Sequence, residues 1–284
     1  MRGLWRDRRA AFGLALLALV TGAAVAGPLV SSGNPTAQHD VVATRFLRPL
    51  ATDHAGSFHV LGTDRFGRDV WTRLVYGARV SLTVGALAVL LSVVIGVLVG
   101  GAAGYWPGPV RTSLLALTDF VLALPRVVLL LLLAAMARPS TVLVIVVLGL
   151  TGWMSVARLV HGEVRSLAAR PFVEGAIALG VSRGRVLARH ILPNALTPVI
   201  VSVALGLGNA IMLEASLSFL GVGVQPPTPS WGNMIASGRD TLVNAPWVAA
   251  APGVALVLVV VACTLLGDAL QDALDPTTRY ETVR

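Results

Sequence analysis

Residues 174–193 read EGAIALGVSRGRVLARHILP, a polar, arginine-bearing island between long apolar runs. A chain this apolar is expected to hide such an island unless something outside the membrane must touch it. Pro171 opens a helix at little cost, because its missing N–H has no acceptor to lose in a first turn. Residues 172–179 then carry apolar side chains at helical spacing, with Glu174 near the positive end of the helix dipole. Gly180 is a natural stop, since it adopts the left-handed conformation freely. Ser182 is expected to cap a second helix bearing Arg183, Arg185 and Arg189, ended by Pro193 and Asn194. A short helix, a glycine turn and a second short helix make a knob suited to a partner's groove. The same pattern also fits a plain solvated connection between two membrane helices.

The rest of the chain is markedly apolar. Its 284 residues are 55% hydrophobic and 13% charged, against about 25% charge in ordinary globular domains. Mean hydropathy is +0.79. The expected fold is all-α, a polytopic membrane protein of about six transmembrane helices at 11–30, 80–103, 114–136, 142–160, 196–220 and 248–270. Each is near the roughly 20 apolar residues that a membrane helix needs. The division is then a cytoplasmic N-terminus at 1–10, a first span at 11–30 and an external loop at 31–79. A core of five spans at 80–270 carries the loop 161–195, and a cytoplasmic tail covers 271–284. The N-terminus also has signal-peptide features, a basic start and the cleavage-like Ala24-Val25-Ala26. Its apolar run of about 20 residues exceeds the roughly 7–15 of a signal core, which favours a retained helix.

Arginine placement orients the bundle. Arg2, Arg6, Arg8 and Arg9 precede the first span, and Arg158, Arg165, Arg170, Arg183, Arg185 and Arg189 flank or fill the polar island. The positive-inside rule puts both groups in the cytoplasm. Six spans then leave both termini inside. Arg45, Arg48, Arg65, Arg68, Arg73 and Arg79 run against the rule, in an external loop near the length where the rule weakens.

Several chemistries are excluded. The chain has no lysine, hence no P-loop lysine to reach a nucleotide phosphate. The net charge of +8 is spread between spans with no long basic stripe, which argues against nucleic acid. Cys263, in an apolar run, reads as a packed core thiol. His39, His54, His59, His161 and His190 are dispersed and form no metal-ligand pattern, and no nucleophile motif stands out.

Charges within the spans draw a sharper hypothesis. Asp119 and Arg126 are seven apart, roughly on one helix face, and Glu214 lies in the fifth span. A charge at mid-bilayer costs about 2.5–3.5 kcal/mol on insertion scales, so such groups face a path or a partner unless they sit near a span end. Arg126 is expected to line a path or to pair with Glu214. Outside the spans, Val70, Trp71, Leu74 and Val75 recur at helical spacing among charges and predict an interfacial helix within 62–79. The run Gln225-Pro226-Pro227-Thr228-Pro229-Ser230-Trp231 predicts a stiff loop.

The island resembles the cytoplasmic loop motif of ABC-importer permeases, Glu-Ala-Ala, three residues, Gly, and a later Ile-x-Leu-Pro. Glu174, Ala176, Gly180, Leu192 and Pro193 match it, with Gly175 at an alanine position and His190 at the isoleucine. Leu61-Gly62-Thr63-Asp64-Arg65-Phe66-Gly67-Arg68-Asp69 resembles the segment before the second helix of the dipeptide, oligopeptide and nickel branch. Glu214-Ala215-Ser216-Leu217-Ser218-Phe219-Leu220-Gly221 with the proline-rich loop resembles that branch's fifth helix and external loop. Leu266-Gly267-Asp268 and Asp272-Ala273-Leu274-Asp275-Pro276 resemble its C-terminal end. Arg126 departs from it, since a small residue is more usual after the proline.

The resemblance implies a type I ABC-importer permease fold and a C-type subunit forming half of a pore for di- or oligopeptides. Nickel or another small ligand is the alternative cargo. A stand-alone secondary transporter would instead show internal repeats or broken helices. Implied partners are a sister B-type permease, two ATPase subunits that bind ATP and Mg, an extracytoplasmic substrate-binding protein and the lipid of a bacterial inner membrane, with no cofactor in this chain. Implied coupling residues are Glu174, Gly175, Ala176, Gly180, Arg183, Arg185, Leu192 and Pro193. Asp119, Arg126 and Glu214 are the expected path residues. Asp64, Arg68, Asp69, Pro226, Pro227 and Trp231 are the expected external contacts of the binding protein.

Overall fold

The computed structural model describes residues 7–30, 33–38, 40–136 and 138–274. Arg2, Arg6, His39 and the Asp275-Pro276 end of the C-terminal motif lie outside those residues. In chain order, α1 (Arg8–Val30) is followed by a short α2 (Val41–Thr44) and an antiparallel pair. In that pair β1 (Ala51–Thr52) meets β2 (Phe58–His59), with Ala51 opposite His59. Then come α3 (Val70–Tyr105), α4 (Pro109–Ala123), α5 (Arg126–Ala135), α6 (Thr141–Leu150) and α7 (Trp153–Ala168). The polar island holds α8 (Pro171–Ala178), α9 (Arg183–Val186), a π-helical turn Leu187–Ile191 and α10 (Leu192–Ala195). α11 (Thr197–Phe219), α12 (Trp231–Arg239) and α13 (Trp247–Leu274) follow.

Among the described residues, five stretches are long and apolar enough to cross a membrane: Arg8–Gly27, Val70–Tyr105, Thr141–Ala168, Thr197–Phe219 and Trp247–Leu274. The expected third span, 114–136, is broken, with α4 and α5 meeting at 88°. The cause is local. Leu124 precedes a proline and is driven to extended backbone, ψ 135°, and Pro125 follows with ψ 113°.

α3 also departs from expectation. Its sequence holds no proline, and Asp69 caps the first turn by accepting a 2.7 Å hydrogen bond from the Thr72 N–H. One helix of 36 residues results, about 54 Å long at 1.5 Å per residue, against about 30 Å of hydrocarbon. Residues 70–79, expected as a separate helix lying on the membrane surface, are its opening turns. Val70 is buried there against Met234, Ala245 and Val248.

The two ends of α3 carry different things. Its start packs beneath α12 and the head of α13, beside α2 and the β pair. Its far end runs along α7 toward the polar island. Gly96, Gly100 and Gly104, one turn apart, form the seam with α7. A Cβ on Gly96 would come within 2.6 Å of Val156, and one on Gly104 within 2.8 Å of Val164. On Gly100 it would strike the Ala157 carbonyl. In lipid no hydrophobic force draws helices together, so this close approach, with its dispersion contacts, is what holds the pair. Val160 and Val164 are fully buried at the seam and begin the core that anchors the island.

Enlarging the seam tests this packing. Gly100→Val is expected to destabilise the protein by about 1–3 kcal/mol through overpacking. Gly162→Ala, on the open side of α7 with nothing near its Cβ, should stay within about 0.5 kcal/mol. Thermal unfolding in detergent reads both.

Candidate functional site

The island folds into a knob with a buried root and an exposed crown. Val173, Val186, Leu187 and Ile191 are buried against Val160 and Val164 of α7. Glu174, Arg183, Arg185 and Pro193 point outward, as do Phe172, Ile177 and Leu179, the last 87% exposed. Apolar side chains exposed at the tip of a polar loop mark a candidate docking face. Gly180 makes the turn at φ +83°, a conformation that L side chains resist. It closes the helix with bonds from the Gly180 N–H to the Ile177 carbonyl and from the Val181 N–H to the Ala176 carbonyl. Gly175 is exposed, with open space where a Cβ would go.

Two local expectations fail. Ser182 stands at the head of α9, but its side chain makes no capping bond. Pro193 and Asn194 do not end the second helix either. The chain continues through the π-helical turn Leu187–Ile191 into α10 and α11. Pro193 lacks the N–H that the Arg189 carbonyl would need and crowds that carbonyl, and a π turn one residue wider absorbs the mismatch.

A second surface runs along the spans. Most outward side chains on the long helices are apolar, such as Phe12 and Leu19 on α1, Leu90 and Leu98 on α3, and Val254 and Val257 on α13. One face differs. Ser155 and Arg158 of α7, Asp119 of α4 and Asn209 of α11 are all exposed, and Arg158 donates to the Asp119 carboxylate at 2.7 Å. Polar groups at membrane depth avoid lipid tails, so this face meets a partner or a water-filled path.

Along it lie two adjoining cavities that share Ser202, Gly206 and Asn209 as a wall. One of about 900 Å³ reaches Glu163, Asn194 and Gln271 near the knob. The other, about 120 Å³, reaches Ser92, Ser155 and Arg126. The bend at Pro125 separates Asp119 from Arg126, so their spacing of seven no longer places them on one helix face. Asp119 pairs with Arg158, whereas Arg126 opens α5 and turns into the small cavity.

Glu214 does not join that face, and the expected pairing with Arg126 is not made. It is 0% exposed. Ser81 of α3 donates to one carboxyl oxygen and Ser218 of α11 to the other, each at 2.7 Å. The Ser81 hydroxyl also accepts from the Trp231 N–H, and the Ser218 hydroxyl from the Val224 N–H. Glu214 therefore ties the proline-rich loop and α12 onto α3 and α11.

The expected binding-protein contacts divide in the same way. Asp64, Arg68 and Trp231 are buried. Asp64 holds Arg68 by two 2.7 Å contacts, with Arg73 at 3.8 Å. Asp69 caps α3 and bonds His59 at 2.9 Å. Trp231 donates to the Leu74 carbonyl. These residues shape the end of the molecule from inside, while Pro226 and Pro227 are exposed on it. Beside them the Asp53 carboxyl lies below its ordinary range, chiefly because the Ser57 N–H donates to it, with His59 and Ala55 adding to the effect. Its contribution to the loop is present above the usual carboxylate range and is lost as pH falls through that lowered value.

Apolar side chains along 172–179 are legible in the sequence, but the division into an exposed crown, Phe172, Ile177 and Leu179, and a buried Val173 is not. Ser155, Arg158, Ser202 and Asn209 were missed as a face. Their helical register carried that signal, but only the packing of α4, α7 and α11 assembles it.

A bundle of membrane-length helices with an exposed knob at one end and a polar face along its spans has the form of a subunit of a larger membrane assembly. The chain belongs to the family described as binding-protein-dependent transport system inner membrane component, which matches residues 82–280. A protein of Brucella abortus biovar 1 (strain 9-941), provisionally named a peptide transport system permease protein, is 39% identical over 280 residues, 99% of this chain and 92% of that protein. The dipeptide transport system permease protein DppC of Alkalihalophilus pseudofirmus is 37% identical over 273 residues, 96% of this chain and 87% of that protein. Among solved structures, an inward-facing MetNI methionine ABC transporter shares the fold at TM-score 0.56 and 21% identity, over 72% of this chain and 96% of that one. The protein is thus a multi-pass permease subunit of an ABC importer and not itself an enzyme. Its family works in a membrane complex with ATPases and a binding protein.

Glu214→Ala strands two buried serine hydroxyls, and about 1–3 kcal/mol of stability should go with it. Glu214→Gln keeps an acceptor for one serine and should lose less. Thermal unfolding of the assembled complex ranks the two, and equal losses would show that the hydroxyl bonds are not what matters.

Proposed function

We propose that this permease forms half of the pore of a peptide importer. Its polar face meets a sister B-type permease across the path. Its knob, residues 171–193, takes the push of two ATPases that bind ATP and Mg. In this reading the knob is cytoplasmic, both termini lie on that side, and the end carrying α2, the β pair and α12 faces the binding protein. The peptide cargo follows the printed names of the relatives at 37–39% identity. The observation that carries the reading is the geometry. The docking knob and the external end lie at opposite ends of α3, and the polar face runs between them on an otherwise apolar surface. Two of the six external arginines that run against the orientation rule, Arg68 and Arg73, are buried around Asp64.

In the proposed cycle, nucleotide draws the ATPase pair together, the knobs move as rigid bodies, and the path alternates between outward and inward access. Phe172, Ile177 and Leu179 fill the ATPase groove, with Glu174, Arg183 and Arg185 around them. Leu179→Asp places a charge in that groove without touching the buried root. It should abolish co-purification of the ATPases and peptide uptake while leaving thermal stability unchanged. If ATPases still co-purify in normal amount and uptake persists, the knob is not the coupling surface.

A further inference from the structure

The small cavity at Arg126 is a built site with an unpaired cation. Among the described residues, the buried Nε of Arg126 has no hydrogen-bond partner, and its guanidinium makes no ion pair. Ser155, Ser202 and Asn209 share the cavity and make no side-chain hydrogen bond among the described residues. Ser92 is different, since its hydroxyl donates to the Gly149 carbonyl at 3.1 Å. The space is about 120 Å³, room for several waters. Its depth is that of the middle of the bundle, because Ala88 and Asn209 on its walls lie near the midpoints of α3 and α11. Arg126 is also the first residue of α5, which has no side-chain cap, so the positive end of that helix dipole adds to the guanidinium charge.

We infer that this cavity receives a carboxylate of the peptide cargo during passage, an inference that rests on the peptide-importer reading above. A guanidinium offers two parallel N–H donors matched to a carboxylate, and the serine hydroxyls and the asparagine amide can complete its shell. The adjoining 900 Å³ cavity shares Ser202, Gly206 and Asn209 and opens toward Asn194 and Gln271. It gives the rest of the peptide a route toward the knob end. The station stays weak enough to release because it is open on one side, where Ser155 and Asn209 are exposed.

The test uses the complete importer in proteoliposomes, with both permeases, the ATPases and saturating loaded binding protein, so that differences in loading drop out. The probes are a short alanine peptide, its C-terminal amide, and an amidated peptide with one aspartate, chosen among those that the binding protein loads in every form. The wild type should import the acid about tenfold faster than the plain amide, the size of one charge-assisted hydrogen bond. Arg126→Gln should slow the acid to the rate of the amide, and Arg126→Lys should recover part of the preference. Recovery by the aspartate peptide shows that a side-chain carboxylate can also fill the site, and no recovery restricts the site to the terminal one. Equal import of acid and amide by the wild type, or an undiminished preference in Arg126→Gln, overturns the inference while leaving the permease role intact. If Arg126→Gln fails to assemble, the wild-type comparison decides alone. Failure of the wild type to import any peptide would remove the peptide reading itself and this inference with it.

Discussion

The close approach of α3 and α7 governs the rest of the molecule. Three glycines one turn apart let the two backbones meet, and nothing else in lipid would hold them so firmly. α7 leads directly into the knob, and α3 carries the opposite end. The seam thus fixes where the knob stands relative to the polar face. The knob's root of Val173, Val186 and Ile191 extends the same packed core, so the crown is presented on a rigid base.

At the other end the organising group is Glu214. A carboxyl fully removed from solvent is costly unless its oxygens are bonded. Here serines from two helices provide the bonds, and their hydroxyls in turn receive N–H groups from the returning loop. The charge that would suggest a transport role on sequence grounds is used for assembly. Asp64 repeats the pattern by holding Arg68 and Arg73, both buried around it.

The sequence made the helical class, most spans and the knob legible, because hydropathy and turn residues act locally. Pro125 was equally visible, yet a window average over 114–136 hides a bend that depends on one residue and its neighbour. The full length of α3 escaped because its opening turns mix arginines with apolar side chains, and the Asp64 network that accommodates those charges comes from outside the helix. The site was harder still. Arg126 and Asp119 lie on the polar face, but Glu214 does not, since its burial depends on Ser81, far away in sequence. Ser202 and Asn209 look unremarkable alone and gain meaning only in the register of α11.

The π turn at Leu187–Ile191 has a mechanical meaning. From Arg183 to Phe219 the chain is an almost unbroken helical rod, with the crown near one end and Asn209 well along its length. In the proposed cycle such a rod would carry displacement of the knob to the wall that holds Asn209. Its weakest joint is the overwide turn beside Pro193, where the regular ladder is already interrupted. In the proposed cycle that joint would set how much of the knob's displacement reaches the wall, so one residue of extra winding acts as a compliance built into the rod.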